Sequence, residues 1–174
     1  MCPTPTQMKN IILVGMMSSG KTTLGKKLAR ALNYQFADLD KLIEKDQGME
    51  ISAIFAQKGE PYFREVESRI LKETSSQKGI VLASGGGTPC FFDNMNVIRE
   101  MGVSIFLDVP AEDLARRIEN HGKDDRPILS GATSLVDTLQ SRITDRLPYY
   151  SQADFTLKGE IDVSHLLEVL TPLL

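Results

Sequence analysis

A parallel α/β sheet covered by helices on both faces is the fold class predicted here, and three observations predict it. Short apolar, β-branched runs alternate with stretches of helical periodicity. The runs end at Gly, Asp or Pro, as strands that hand over to loops do. A glycine-rich string ending in Lys-Thr lies at the first junction between a strand pattern and a helix pattern.

Taken in order, Ile11–Val14 is a continuous apolar run stopped by Gly15, the pattern of a strand buried on both faces. Leu24, Leu28, Ala31 and Leu32 recur at helical spacing and predict an apolar helix face. Gln35–Asp38 predicts a second strand. Leu42–Gln77 is helical in pattern, with breaks near Gly48 and at Gly59-Glu60-Pro61. Ile80–Ala83 predicts a third strand, stopped by Gly85-Gly86-Gly87, and Val103–Val109 a fourth, stopped by Pro110. A helix is expected from about Ala111, with Asp108 as its cap. Leu135, Leu139, Ile143 and Leu147 mark a further helix face, Asp154–Leu157 a fifth strand, and Val163, Leu166, Leu167 and Leu170 a closing helix. His121–Gly131 has no apolar periodicity and reads as a charged surface loop.

The chain has 174 residues, which fits one domain with a full core. Hydrophobic content of 41% and charged content of 25% are globular values. With Lys+Arg 20 against Asp+Glu 23, the net charge of −3 sets aside a general nucleic-acid binder, which needs a basic excess. Cys2 and Cys90 form neither a disulfide framework nor a metal motif, and His121 and His165 are isolated, so a reduced cytoplasmic setting is expected. No apolar run is long enough for a membrane-spanning helix. Lys9 followed by Ile11–Met17 has a faint likeness to a secretion signal, but the same residues read better as a strand entering a phosphate loop.

Gly15-Met16-Met17-Ser18-Ser19-Gly20-Lys21-Thr22 fits G-x-x-x-x-G-K-[ST] in full. In such a loop glycines let backbone N–H groups turn inward onto phosphate oxygens, and the following helix adds its positive end. Lys21 supplies charge for the β- and γ-phosphates, and the Thr22 hydroxyl is a candidate Mg²⁺ ligand. The motif implies ATP or GTP with Mg²⁺ and leaves the phosphoryl acceptor open. Asp38 and Asp40 follow the second strand, at the edge of the sheet where open α/β folds bind ligands. One could serve Mg²⁺ and the other take a hydroxyl proton; equally, Asp40 could be a helix cap with Asp38 solvated. Gly85-Gly86-Gly87 permits close approach of a ligand to bare backbone. Ser84 stands where many phosphate-loop proteins carry a metal-assisting Asp, which makes Asp38 the candidate and Asp108 its rival. Arg64, Arg126 and Arg146 are candidate grips for carboxylate or phosphate, since a guanidinium binds them with a planar fork.

With these parts placed, the chain resembles the shikimate kinases from about Asn10 to its end. The resemblance rests on an ordered set: the phosphate loop, Asp38-x-Asp40, Phe63-Arg64-x-x-Glu67, Gly85-Gly86-Gly87, Arg126-Pro127-x-Leu129 and Arg146-x-Pro148-x-Tyr150. It implies a nucleoside-monophosphate-kinase-like α/β/α sandwich with five parallel strands. It also implies a single domain over 1–174, with substrate-binding helices at about 40–77 and a lid at about 118–131. The activity implied is transfer of the γ-phosphoryl group of ATP to the 3-hydroxyl of shikimate. Site residues carry over one by one. Ser18, Ser19, Gly20, Lys21, Thr22, Thr23 and Arg126 would bind ATP. Lys21, Asp40 and Arg126 would be catalytic, Asp40 as the base. Asp40, Arg64, Gly85, Gly86, Gly87 and Arg146 would bind shikimate, and Thr22 with Asp38 would hold one Mg²⁺. Arg116 or Arg117 is expected near adenine. Partners are confined to the two substrates, with no nucleic acid or membrane, and the chain is expected to be a monomer. A gluconate or nucleotide acceptor and a nucleotide-dependent switch are the competing readings; the first changes the acceptor, the second removes it.

Overall fold

Ile11, Ile12, Leu13 and Val14 have no exposed surface. A strand covered on both faces has no polar side, so its residues run apolar without alternation. The computed structural model describes residues 8–120, 134–159 and 163–174. In chain order its elements are β1 (Asn10–Val14), α1 (Lys21–Leu32), β2 (Gln35–Asp38), α2 (Leu39–Gln47), α3 (Ile51–Thr74), β3 (Ile80–Ala83), α4 (Asn94–Met101), β4 (Gly102–Asp108), α5 (Ala111–Asn120), α6 (Leu135–Tyr150), β5 (Phe155–Lys158) and α7 (Val163–Leu170).

The five strands form one sheet in the order β2-β3-β1-β4-β5. Every pairing is parallel, with Ile12 opposite Leu82 on one side and Ser104 on the other. All carboxyl ends therefore lie along one edge. From β1 the chain crosses toward the β2 edge, whereas from β3 it crosses the opposite way to β4. Right-handed crossovers then place α1 on one face and the later crossover helices, α2 to α6, on the other. The core divides accordingly. Ile11, Leu13, Val81, Ile105 and Leu107 pack under Leu24 and Leu28 of α1 and Leu166 and Leu170 of α7. Ile12, Val14, Leu82 and Phe106 pack under residues of α2 to α6, among them Ile43, Ile54, Leu71, Ile98, Leu114 and Leu139. Each fully buried Leu or Ile contributes roughly 1.5–3 kcal/mol. This is the α/β/α sandwich with a five-stranded parallel sheet that the resemblance implies.

The strands fall within about a residue of their predicted places, and several local expectations change. The helix after β2 begins at Leu39, and its cap is Asp38 rather than Asp40: Asp38 Oδ1 accepts from the N–H groups of Asp40 (3.1 Å) and Lys41 (3.4 Å). Asp108 does not cap α5; it pairs with Lys158 at 3.4 Å, and α5 starts on bonds from the Asp113 and Leu114 N–H groups to the Pro110 carbonyl. Ala31 faces solvent while Ala29 is buried, because the covered stripe of α1 is Leu24, Gly25, Leu28 and Ala29. Helix α4 has no counterpart among the predicted elements; it buries Met95, Ile98 and Met101.

Helix α3 bends at Gly59, whose φ of 80° and ψ of 170° are not helical. The left-handed half of φ space favours glycine there. The following Pro61 suits the first turn of the new segment, where its missing N–H is not needed. The predicted break at Gly59-Glu60-Pro61 is thus a hinge between the stretches 51–58 and 60–74. Leu147 is also exposed, at 43%, where a core position is expected. The inward stripe of α6 runs instead through Leu139, Ile143, Arg146 and Tyr150, at helical spacing.

Candidate active site

The order reversal between β1 and β3 opens a crevice at their carboxyl ends, the usual ligand position in such sheets. Val14 leads into the phosphate loop on one side, and Ala83 leads into the glycine triplet on the other. Ser84 ties the two together: its hydroxyl donates to Leu13 O at 3.0 Å, and its N–H to the same oxygen at 3.1 Å.

The loop turns into α1 at Gly20, where φ is 99°. Lys21 is buried, with 8% of its surface exposed, and its Nζ donates to Gly15 O at 2.8 Å and Met16 O at 2.7 Å. An ammonium folded inside its own loop stands at the centre of the anion cradle that the backbone forms. Ser19 Oγ is buried without a hydrogen-bond partner among the described residues. A buried hydroxyl left unpaired is what a bound phosphate oxygen would satisfy. Thr22 and Thr23 are exposed in the first turn of α1, and Arg117 reaches across to donate from Nη1 to Ser18 O at 3.1 Å. Arg116 points elsewhere, into an ion pair with Asp113 at 3.0 Å, so Arg117 is the arginine over the loop.

Thr22 Oγ1 donates to Asp38 Oδ2 at 3.1 Å. The other oxygen of that carboxylate caps α2, which fixes its aim. A hydroxyl and a carboxylate, both hard oxygen donors and placed beside the phosphate loop, fit a divalent magnesium ion. Asp40 follows in the first turn of α2. Its Oδ1 would lie 3.1 Å from a side-chain carbon placed on Gly85.

At the glycine triplet there is no room for side chains, because charged and polar groups occupy their space. A carbon on Gly87 would lie 2.7 Å from Arg64 Nη2. One on Gly86 would lie 3.2 Å from Arg146 Nη1 and 3.3 Å from Met17 N of the phosphate loop. One on Gly85 would lie 2.8 Å from both Glu67 Oε1 and Thr88 Oγ1. Arg64 and Arg146, eighty-two positions apart in the chain, thus meet over one backbone segment beside the nucleotide cradle.

Arg64 is itself buried, at 6%, which an isolated surface ion pair would not be. Its Nη1 donates to Glu67 Oε2 at 2.8 Å, and its Nε and Nη2 to Glu60 Oε1 at 3.1 and 2.9 Å. The Phe91 ring lies 4.1 Å from its guanidinium carbon. Glu67 has no exposed surface and accepts from Thr88 Oγ1 at 2.6 Å as well. Its role is visible only in the structure, although Arg64 and Glu67 stand three apart on a helix, a spacing that brings side chains together. Burial pushes the Cys90 thiol up, against the pull of Arg146 and Arg64. Arg126, His121 and most of the 118–131 segment lie outside the described residues.

Tyr150 closes the floor of the site. It is fully buried and its hydroxyl donates to Gly86 O. Burial pushes its phenol up to about 12, against the opposing pull of Arg146. In the unfolded chain the phenol ionises near 10.0, so between pH 10 and about 12 unfolding releases a proton that the native state keeps. Stability from this source is complete below that window and falls as pH rises through it, by an amount of order 2–3 kcal/mol. Alkaline denaturation of Tyr150→Phe should lack this component. Equal losses in variant and parent between pH 10 and about 12 would remove Tyr150 as its source.

A family model described as shikimate kinase matches residues 17–169. A shikimate kinase of Parabacteroides distasonis is 40% identical over 155 residues, covering 88% of this chain and 89% of that protein. Among solved structures, a shikimate kinase of Bacteroides thetaiotaomicron superposes with a TM-score of 0.86 at 38% identity, covering 94% of this chain and 99% of its own. A shikimate kinase of Acinetobacter baumannii, solved in complex with shikimate, gives a TM-score of 0.86 at 32% identity and covers 95% of each chain.

Proposed function

The chain belongs to the shikimate kinase family, and from that premise we propose how its residues share one reaction: transfer of the γ-phosphoryl group of ATP to the 3-hydroxyl of shikimate, giving shikimate 3-phosphate and ADP. The observation that carries this reading is the meeting of Arg64, Arg146 and the phosphate loop around Gly86 and Gly87. Two guanidinium forks beside a triphosphate cradle suit an acceptor with a carboxylate at one end and a hydroxyl at the other.

In this reading Arg64 and Arg146 pin the carboxylate of shikimate, and the bare backbone of Gly85, Gly86 and Gly87 lets the ring lie close. Asp40 orients the 3-hydroxyl and accepts its proton. It need not be a strong base, because the transferring group is loosely bonded at the transition state and the charge lies mostly on its outer oxygens. Catalysis then comes from position and electrostatics. Lys21 exchanges its loop carbonyls for phosphate oxygens, the Ser19 hydroxyl gains a partner, and the N–H groups of Ser18, Ser19, Gly20, Lys21, Thr22 and Thr23 frame the nucleotide. Arg117 covers the adenine side. Thr22 and Asp38 hold one Mg²⁺, which when bound supplies positive charge to the phosphate oxygens.

Helices within about 40–77 form the acceptor side, and the segment at about 118–131 is read as a lid carrying Arg126 to the phosphates. Excluding water there prevents idle ATP hydrolysis. The two substrates suffice as partners, and a single domain acting as a monomer accounts for every assigned residue. No helix among the described residues is long and apolar enough to cross a membrane, in keeping with a cytoplasmic enzyme. An ADP-release assay across shikimate, gluconate and nucleoside monophosphates tests the acceptor. Shikimate should be strongly preferred; equal or better turnover of any other acceptor would overturn the assignment.

A further inference from the structure

Two carboxylates grip Arg64, and their surroundings differ. Glu67 is fully buried and also bound by Thr88, so it is a fixed counter-charge. Glu60 has a side chain 50% exposed, and its Oε1 takes both Nε and Nη2 of Arg64. Those two donors form one of the planar edges by which a guanidinium binds a carboxylate. A carboxylate of the chain itself therefore occupies an edge that an incoming carboxylate would use.

Glu60 is also placed where leaving Arg64 costs little. It follows the hinge at Gly59 and precedes Pro61, at the start of the second helical stretch of α3. The positive end of that stretch still favours an anion there. Arg142, one turn before Arg146 on α6, feels both Glu60 and Arg146. A carboxylate swung away from Arg64 thus remains among compensating charges.

We propose that Glu60 is a resident stand-in carboxylate, which occupies Arg64 in the empty site and is displaced by the carboxylate of the acceptor, so that it sets affinity and selectivity for an anionic acceptor. The inference rests on the reading of Arg64 as the acceptor's clamp. A weak anion meets an arginine already satisfied, and only a ligand with further contacts to Arg146, Asp40 and the triplet displaces Glu60. The cost is affinity: every binding event breaks an existing ion pair.

Calorimetric titration of shikimate and of its methyl ester, which lacks the anion, into Glu60→Ala, Glu60→Gln and Arg64→Ala tests this. Removing a half-exposed competing charge should tighten shikimate binding about three- to tenfold in Glu60→Ala, with a smaller gain in Glu60→Gln. The ester should gain nothing. Unchanged or weaker shikimate binding in both Glu60 variants would overturn the inference, since Glu60 would then hold Arg64 in place. An equal gain for the ester would overturn it too. Should Glu60→Ala not fold, Glu60→Gln carries the same comparison. Arg64→Ala separates the two readings. If it loses shikimate affinity while the Glu60 variants gain none, only the stand-in falls. If it leaves shikimate affinity unchanged, the clamp falls with it.

Discussion

Lys21→Met should lower kcat by on the order of a thousandfold or more, the scale seen when a donor that stabilises transition-state charge is lost from a closed site. Methionine keeps much of the length and apolar stem of lysine and removes only the ammonium. The residue is 8% exposed, so little room is open for a solvent ion in its place. Its loss leaves the carbonyls of Gly15 and Met16 without that donor, at a cost of about 1 kcal/mol per bond, and the loop should still form. Thermal melting of the variant tests folding, and single-turnover kinetics with saturating ATP and shikimate tests chemistry. A folded variant whose kcat stays within tenfold of the parent would show that the charge on Lys21 is dispensable.

Arg64→Ala should weaken shikimate binding by about 2–5 kcal/mol, the range for a forked charge pair lost from a desolvated site. It should leave ATP affinity nearly unchanged, since no phosphate contact is assigned to it. The variant carries a second penalty. Glu67 has no exposed surface and would lose its counter-charge, which costs roughly 3–5 kcal/mol of stability when a buried pair is broken. Arg64→Lys is the companion variant. It keeps a charge near Glu67 but loses the fork, so it should recover much of the stability and little of the affinity. Separate titrations of nucleotide and shikimate, set beside melting curves, distinguish these effects. A fall in ATP binding equal to the fall in shikimate binding would place Arg64 outside the acceptor side.

Much of the fold was legible because buried parallel strands are written as unbroken apolar runs, as in Ile11–Val14 and Ile80–Ala83. The phosphate loop was legible because its backbone geometry demands glycine at fixed places. Boundaries failed where one residue serves two elements. Asp38 ends β2 and caps α2, so the sequence there has no spacer to mark the junction. Helix α4 is eight residues long, too short for its Met95-Ile98-Met101 face to stand out as a period. The candidate residues were found by their order along the chain, but their states were not. An Arg with Glu at three and four positions' distance on a helix is the ordinary sign of an exposed ion pair. Burial against Phe91 and the triplet turns that pattern into a guanidinium held inside the molecule, and burial is a tertiary fact. For Arg146 the sequence left surface and interior positions open, and the α6 stripe turns Arg146 and Tyr150 inward and Leu147 out.

The residues around Gly86 and Gly87 come from distant parts of the chain: Met17 from the first loop, Arg64 from α3, Arg146 and Tyr150 from the end of α6. No fragment shorter than residues 17–150 holds the whole set, so ligand occupancy should report on the integrity of most of the polypeptide. Either substrate at a hundred times its dissociation constant would raise the free energy of global unfolding by about 2.7 kcal/mol. A thermal-shift screen with shikimate would for that reason double as an assay of correct folding for any variant made elsewhere in the molecule.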